Sequence, residues 1–168
     1  MMATRLLFIL TLLSALGCGV IGGVFFAFST FVMKALNALS PSQGIAAMKS
    51  INVVVLNPLF LGVFLSTAVG CVALIISSLL GWEKSGSALA LSGGILYLVG
   101  TFLVTIICNV PRNDALASLD PLGAEAAQSW GDYVRVWTAW NHVRTISAVA
   151  ASLLMILALW LSAQRHSS

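Results

Sequence analysis

A chain of 168 residues in which 60% are hydrophobic and 8% charged, with a mean hydropathy of +1.03, lies outside the range of water-soluble domains, about a quarter of whose residues carry charge. This is the composition of an integral membrane protein, read as a single membrane domain over residues 1–168 whose first partner is the lipid bilayer, where every spanning backbone must satisfy its own hydrogen bonds as a helix. The formal charge of +3 is scattered over single Lys and Arg residues, with no basic run and no stripe interleaved with aromatics, which excludes a nucleic-acid footprint.

Four segments reach the roughly 20 apolar residues that cross a hydrocarbon core of about 30 Å. They are residues 6–32, 59–80, 87–108 and about 136–162. The expected fold class is therefore all-α, a four-helix transmembrane bundle with both termini on one side and a short surface helix between the first two spans. The first segment, Arg5 followed by "LLFILTLLSALGC", resembles a signal peptide. Its apolar stretch continues to Val32, too long for a secretory core of roughly 7 to 15 residues, so it reads as a retained helix.

Between the first two spans lies "SPSQGIAAMKSINVVVLNP". Ser40 as N-cap, Pro41 at the first helical position and Gln43 three residues after the cap predict a helix near Ser42 to Leu56, at the membrane surface. Ile45, Met48, Lys49, Asn52 and Leu56 fall on one side of it, a mixed face suited to covering a polar pocket. Asn57 and Pro58 start the second span as cap and first residue. "GWEKSG" then predicts a hairpin with Trp82 at interface depth.

The third connection, Asn109 to about Gly131, carries Asp114, Asp120 and Glu125, with Asp132 just beyond, so polar material gathers on one membrane side. Arg5, Lys84 and Arg165 on the terminal side balance Lys34, Lys49, Arg112 and Arg135 on the other. The short basic N-terminus tips the expectation to termini inside, in the cytoplasmic (inner) membrane. Cys18, Cys71 and Cys108 read as buried hydrophobes. They form no CxxC or paired Cys/His spacing, so zinc, iron-sulfur and covalent haem sites have no support, and the expected metal set is empty. His166 is a tail residue without signal.

Two polar clusters interrupt this apolar chain: "NVPRNDAL" (Asn109 to Leu116), directly after the third span, and "WTAWNHVRT" (Trp137 to Thr145), near the start of the last. If the last helix reaches back to Trp130, then Trp130, Tyr133, Trp137, Trp140, Asn141 and Arg144 share an arc of about 100°, and His142 points elsewhere, at roughly 140°. Arg144 lies about 12 Å into the span from Val136 at ~1.5 Å per residue. An arginine near the bilayer centre costs roughly 2.5 to 3.5 kcal/mol and so faces the bundle interior with a partner, expected to be Asp114 or the side-chain carbonyl of Asn109 or Asn141. Two readings stand beside each other. One is a buried polar cluster that locks the third and fourth helices together. The other is a pocket walled by Trp and Tyr for a flat aromatic or quinone-like ligand. For "NVPRNDAL" the plain alternative is a helix end, with Asn109 capping, Pro111 stopping the helix, and Arg112 and Asp114 solvated.

"GVFFAFSTFVMKAL", "MKSIN", "NVPRNDAL" and "WTAWNHVRT", in this order and spacing, resemble the anthrone oxygenase-like membrane family over roughly Leu12 to Leu161. The resemblance implies a four-helix membrane bundle that oxidises an anthrone to an anthraquinone with dioxygen. The motif positions it carries over are Asn52, Asn109, Pro111, Asn113, Trp137, Asn141 and Arg144. A deprotonated anthrone is electron-rich enough to reduce oxygen itself, so the protein has to bind it, take a proton and stabilise an oxyanion, with no cofactor. Arg144 with the amides of Asn109 and Asn141 would hold the oxyanion, Asp114 or His142 would be the base, and Asn52, Asn113, Tyr133, Trp137 and Trp140 would line the substrate site. The expected partners are a small lipophilic aromatic substrate and dioxygen, and the sequence carries no signal for an oligomeric state. The competing expectation is a non-catalytic scaffold or a lipophile- or quinone-binding subunit, in which Arg144 and the asparagines only secure the bundle. Haem-based electron transfer is weaker, because His142 supplies one axial ligand at most.

Overall fold

The computed structural model describes residues 2–81 and 86–164. Trp82 and Lys84 of the expected hairpin, and Arg165 and His166 of the tail, lie outside these. The described chain is all helix, in five pieces. The first, α1, runs Met2–Ala27 and continues through a π-helical segment, Phe28–Val32, into a last turn, Met33–Asn37. The surface helix α2 spans Pro41–Val54, α3 spans Pro58–Leu80, and α5 spans Ala126–Gln164. Between them α4 begins as Ser87–Ile95, passes through the π-helical segments Leu96–Leu103 and Thr105–Asn109, and ends as Val110–Ser118.

Four of these, Arg5–Asn37, Pro58–Leu80, Ser87–Ser118 and Ala126–Gln164, are long and apolar enough to cross a membrane. They pack as a ring: α1 on α3, α3 on α4, α4 on α5, and α5 back on α1. Its centre is small and apolar, built on Cys18, Ile21, Phe64, Cys71, Leu74, Tyr97, Ala148, Ala151 and Met155. Without a hydrophobic effect between helices in lipid, close approach of small residues and interhelical hydrogen bonds hold such a bundle. Gly100 faces Ser147 at a distance where a Cβ would stand 2.5 Å from the serine Cβ, and the Tyr97 hydroxyl donates to the Phe64 carbonyl at 3.2 Å. The outward faces are apolar, with Leu13, Phe26, Leu79, Ile146 and Leu153 all exposed.

Each spanning helix is at least as long as its apolar run. The first continues past Val32 to Asn37 and the last starts at Ala126 rather than near Val136, because charged residues at a membrane interface can remain helical. The larger correction concerns "NVPRNDAL", which is helical to Ser118 and not a loop. Pro111, at the start of the final α4 segment, sits directly after a π-helical turn, where the hydrogen-bond ladder is already shifted and a missing N–H is tolerated. The Arg112 guanidinium turns back to the carbonyl of Cys108.

Helix α2 starts where Ser40 and Pro41 place it, although Ser40 Oγ donates to the Gln43 side chain at 2.9 Å and not to a backbone group. Asn57 caps α3 by accepting from the Phe60 N–H at 3.0 Å. Ile45 and Met48 are buried, and Lys49 Nζ donates to the Leu119 carbonyl at 2.7 Å, fastening α2 across the end of the bundle. Leu56 falls beyond the helix and is exposed. The contact depends on Gly44, where a Cβ would meet the Trp130 ring at 2.7 Å and the Leu36 carbonyl at 3.0 Å. Gly44→Ala is therefore expected to overpack this seam and lower stability by about 1–3 kcal/mol. Thermal melts in detergent test this, and an unchanged melting temperature would show that α2 is not clamped on Trp130.

Candidate functional site

Side chains of α1, α4 and α5 meet at the polar end of the bundle around Arg144. The burial pattern along α5 follows a helical stripe: Trp130, Tyr133, Trp137, Asn141 and Arg144 are buried, and Trp140 at its edge is half-buried. Arg144 is 4% exposed. Its partner is not Asp114, which is exposed on α4. Instead Nη2 donates to Asn141 Oδ1 at 2.6 Å and Nη1 to Thr105 Oγ1 at 3.4 Å. The guanidinium carbon lies 4.1 Å from the centroid of the Phe25 ring and 4.9 Å from that of Trp137.

This arrangement accounts for a cation at such depth. Two desolvated ring faces at up to ~2 kcal/mol each are comparable to the roughly 2.5–3.5 kcal/mol insertion cost. No carboxylate is needed, and the ion pair found among the described residues, Arg135 with Asp132, is exposed. Arg144 therefore keeps a full positive charge uncompensated by any neighbour, and its Nε–H is buried without a partner.

The asparagines build the frame. Asn141 Nδ2 donates to the Phe25 carbonyl at 2.7 Å and to Ser29 Oγ at 2.8 Å, tying α5 to α1. Asn109 Nδ2 donates to the Trp137 carbonyl at 3.2 Å, while its Oδ1 is buried and unpartnered. Asn113 Oδ1 accepts from both Trp137 Nε1, at 2.8 Å, and the Tyr133 hydroxyl, at 2.9 Å. Trp130, Tyr133 and Trp137 stack in succession, with centroids 5.7 and 6.3 Å apart. Asn52 of α2 faces the Tyr133 hydroxyl, and its Nδ2 is buried without a partner. Asn52, Asn109, Asn113, Tyr133, Trp137, Asn141 and Arg144 thus form one connected cluster. His142 stands outside it, exposed, where it lines an open groove of about 320 Å³ between α1 and α5 that also includes Ser29. Among the described residues no three His, Cys, Asp or Glu side chains come together.

The sequence reading missed Phe25, Ser29, Thr101 and Thr105. Ser29 joins Thr145 Oγ1 at 3.1 Å, and Thr101 Oγ1 donates to the Arg144 carbonyl at 3.1 Å. A signal existed in α4: Thr101, Thr105 and Asn109 recur every fourth residue in an apolar span and share one face. Ser29, Thr101, Thr105 and Asn109 also all sit in the π-helical segments, which are rare and concentrate at functional sites.

Comparison with known proteins adds one finding. The family model described as anthrone oxygenase matches residues 56–154, a stretch that includes Asn109, Asn113, Trp137, Asn141 and Arg144 and leaves out Phe25, Ser29 and Asn52. No curated protein and no solved structure matches the chain.

Proposed function

Since the chain belongs to the anthrone oxygenase family, we propose that it is a membrane oxygenase that converts a lipophilic, anthrone-like aromatic to its quinone with dioxygen and without a cofactor. One observation carries this reading: a buried guanidinium with no carboxylate partner, an unsatisfied N–H and two aromatic faces against it. A purely structural arginine gains from a neutralising partner. One that must receive a negative oxygen is better left without one.

In the proposed reaction a base removes a proton from the ring methylene opposite the substrate carbonyl, and charge develops on that carbonyl oxygen. Arg144 and the amides of Asn109 and Asn141 hold this oxyanion, while Trp137, Tyr133 and Trp140 stack on the rings, with Asn52 and Asn113 at the pocket edge. The anion passes one electron to dioxygen, the two radicals combine, and the ring carbon becomes a peroxide. Protonation of the peroxide and breaking of the second C–H bond release water. The balance is one anthrone and one dioxygen to one quinone and one water. We assign the proton to His142, which shares the groove with Ser29 of the cluster. Asp114, on the far end of α4, is the alternative base. The site would face one side of the cytoplasmic membrane, with the termini inside.

The test is oxygen uptake by purified protein in detergent supplied with an anthrone, with and without a chelator. The expected result is quinone formation above the uncatalysed rate, one dioxygen consumed per anthrone, unaffected by chelation. A second reading, a lipophile-binding subunit without catalysis, is favoured by the hydrogen bonds that tie α1, α4 and α5 together through this cluster. Binding of the quinone with no acceleration of its formation would establish that second reading and end the first.

A further inference from the structure

The groove between α1 and α5 is graded along its length. Lys34, Asn37 and Arg135 form its outer end, Met33, Val134 and Ala139 give it apolar walls, and Ser29 and His142 close it inside. From Arg135 to His142 is about 10 Å along the helix at ~1.5 Å per residue, so the cations stand at headgroup depth and the apolar walls below them. We propose that the outer part of this groove is a binding site for one anionic phospholipid, independent of the oxygenase reading.

Charge complementarity selects the occupant. Lys34 is exposed, and no carboxylate pairs with it among the described residues. Arg135 is bound to Asp132 at 2.9 Å, but both side chains are largely exposed, at 74% and 61%. Such a pair is worth at most about 1 kcal/mol, so the guanidinium is free to turn to a phosphate. Thr138 lines the same groove one turn deeper, and its hydroxyl oxygen is buried without a partner. A lipid whose phosphate lies between Lys34 and Arg135 brings its glycerol ester carbonyls, about 4–5 Å further in, to the Thr138 hydroxyl. That order of phosphate, ester and methylene matches the groove's order of cation, hydroxyl and apolar wall.

The test is native mass spectrometry of the purified protein titrated with phosphatidylglycerol or phosphatidylcholine of the same acyl chains. The wild type is expected to retain one phosphatidylglycerol in preference to phosphatidylcholine. Lys34→Gln and Arg135→Gln should each cut its occupancy about fivefold, and Thr138→Val should weaken both lipids. Arg112→Gln, a lost cation outside the groove, should leave the preference intact. Equal retention of the two lipids by the wild type would overturn the proposal. A loss in Arg112→Gln as large as in Lys34→Gln would do the same, since the attraction would then belong to overall charge. Displacement of the lipid by inorganic phosphate would also overturn it, making the site one for free anions.

Discussion

Arg144→Leu should reduce anthrone turnover by about 10²- to 10³-fold, the usual loss when one oxyanion donor is removed, while leaving the folded protein close to wild-type stability. The stability half of this expectation follows from the surroundings. Leucine removes a charge that was costly to bury and keeps apolar contact with Phe25 and Trp137, the two rings that sandwich the guanidinium. It orphans Asn141 Oδ1, the acceptor of Nη2, and that loss is partly offset by the desolvation no longer required. Thr105 also donates to no Arg144 atom, since it is the acceptor at 3.4 Å, and its own hydroxyl still reaches the Thr101 carbonyl at 2.7 Å. Paired measurements of turnover and thermal melting decide the matter. Retained turnover with a lowered melting temperature would mean that Arg144 is a structural cation.

Asn141→Leu should behave in the opposite way and damage the fold first. Asn141 makes three short bonds, to the Phe25 carbonyl, to Ser29 Oγ and from Arg144 Nη2, and its side chain is fully buried. Leucine leaves a backbone carbonyl, a hydroxyl and a guanidinium N–H unsatisfied at once. Interhelical hydrogen bonds in membranes average about 0.6 kcal/mol and reach ~1.7, so three lost together give a fall of about 2–4 kcal/mol. Unfolding in mixed micelles measures it. A change smaller than about 0.5 kcal/mol, within the scatter of surface substitutions, would show that the cluster does not hold α1 to α5.

The contrast between these two substitutions also shows what the sequence could reveal. The four spans were legible because lipid imposes a length and an apolarity that few other contexts require. The shared arc from Trp130 to Arg144 was legible because helical period alone places side chains on one face. What faces that arc was not legible. Phe25 is one apolar residue among many in α1, and only the rotation of α1 against α5 puts its ring on the guanidinium. The same limit explains the expected pairing of Arg144 with Asp114, which assumed a loop after Asn109. The chain is helical there, and Asp114 is carried outward. The π-helical segments themselves are set by hydrogen-bond register, which apolar patterning does not encode.

Those segments make the chain intolerant of small changes in length. A π-turn holds one more residue than the α-turn it replaces, so deleting a single residue from Phe28–Val32 would let α1 close into an ordinary α-helix. Everything after the deletion would then rotate by about 100°. Met33 and Leu36 would leave the core that they now share with Trp130 and Trp137, and the cap formed by α2 would lose its docking surface. The extra residue acts as a phase adjustment: it lets one continuous helix serve two neighbours that lie at different angles around its axis, the bundle below and the polar end above.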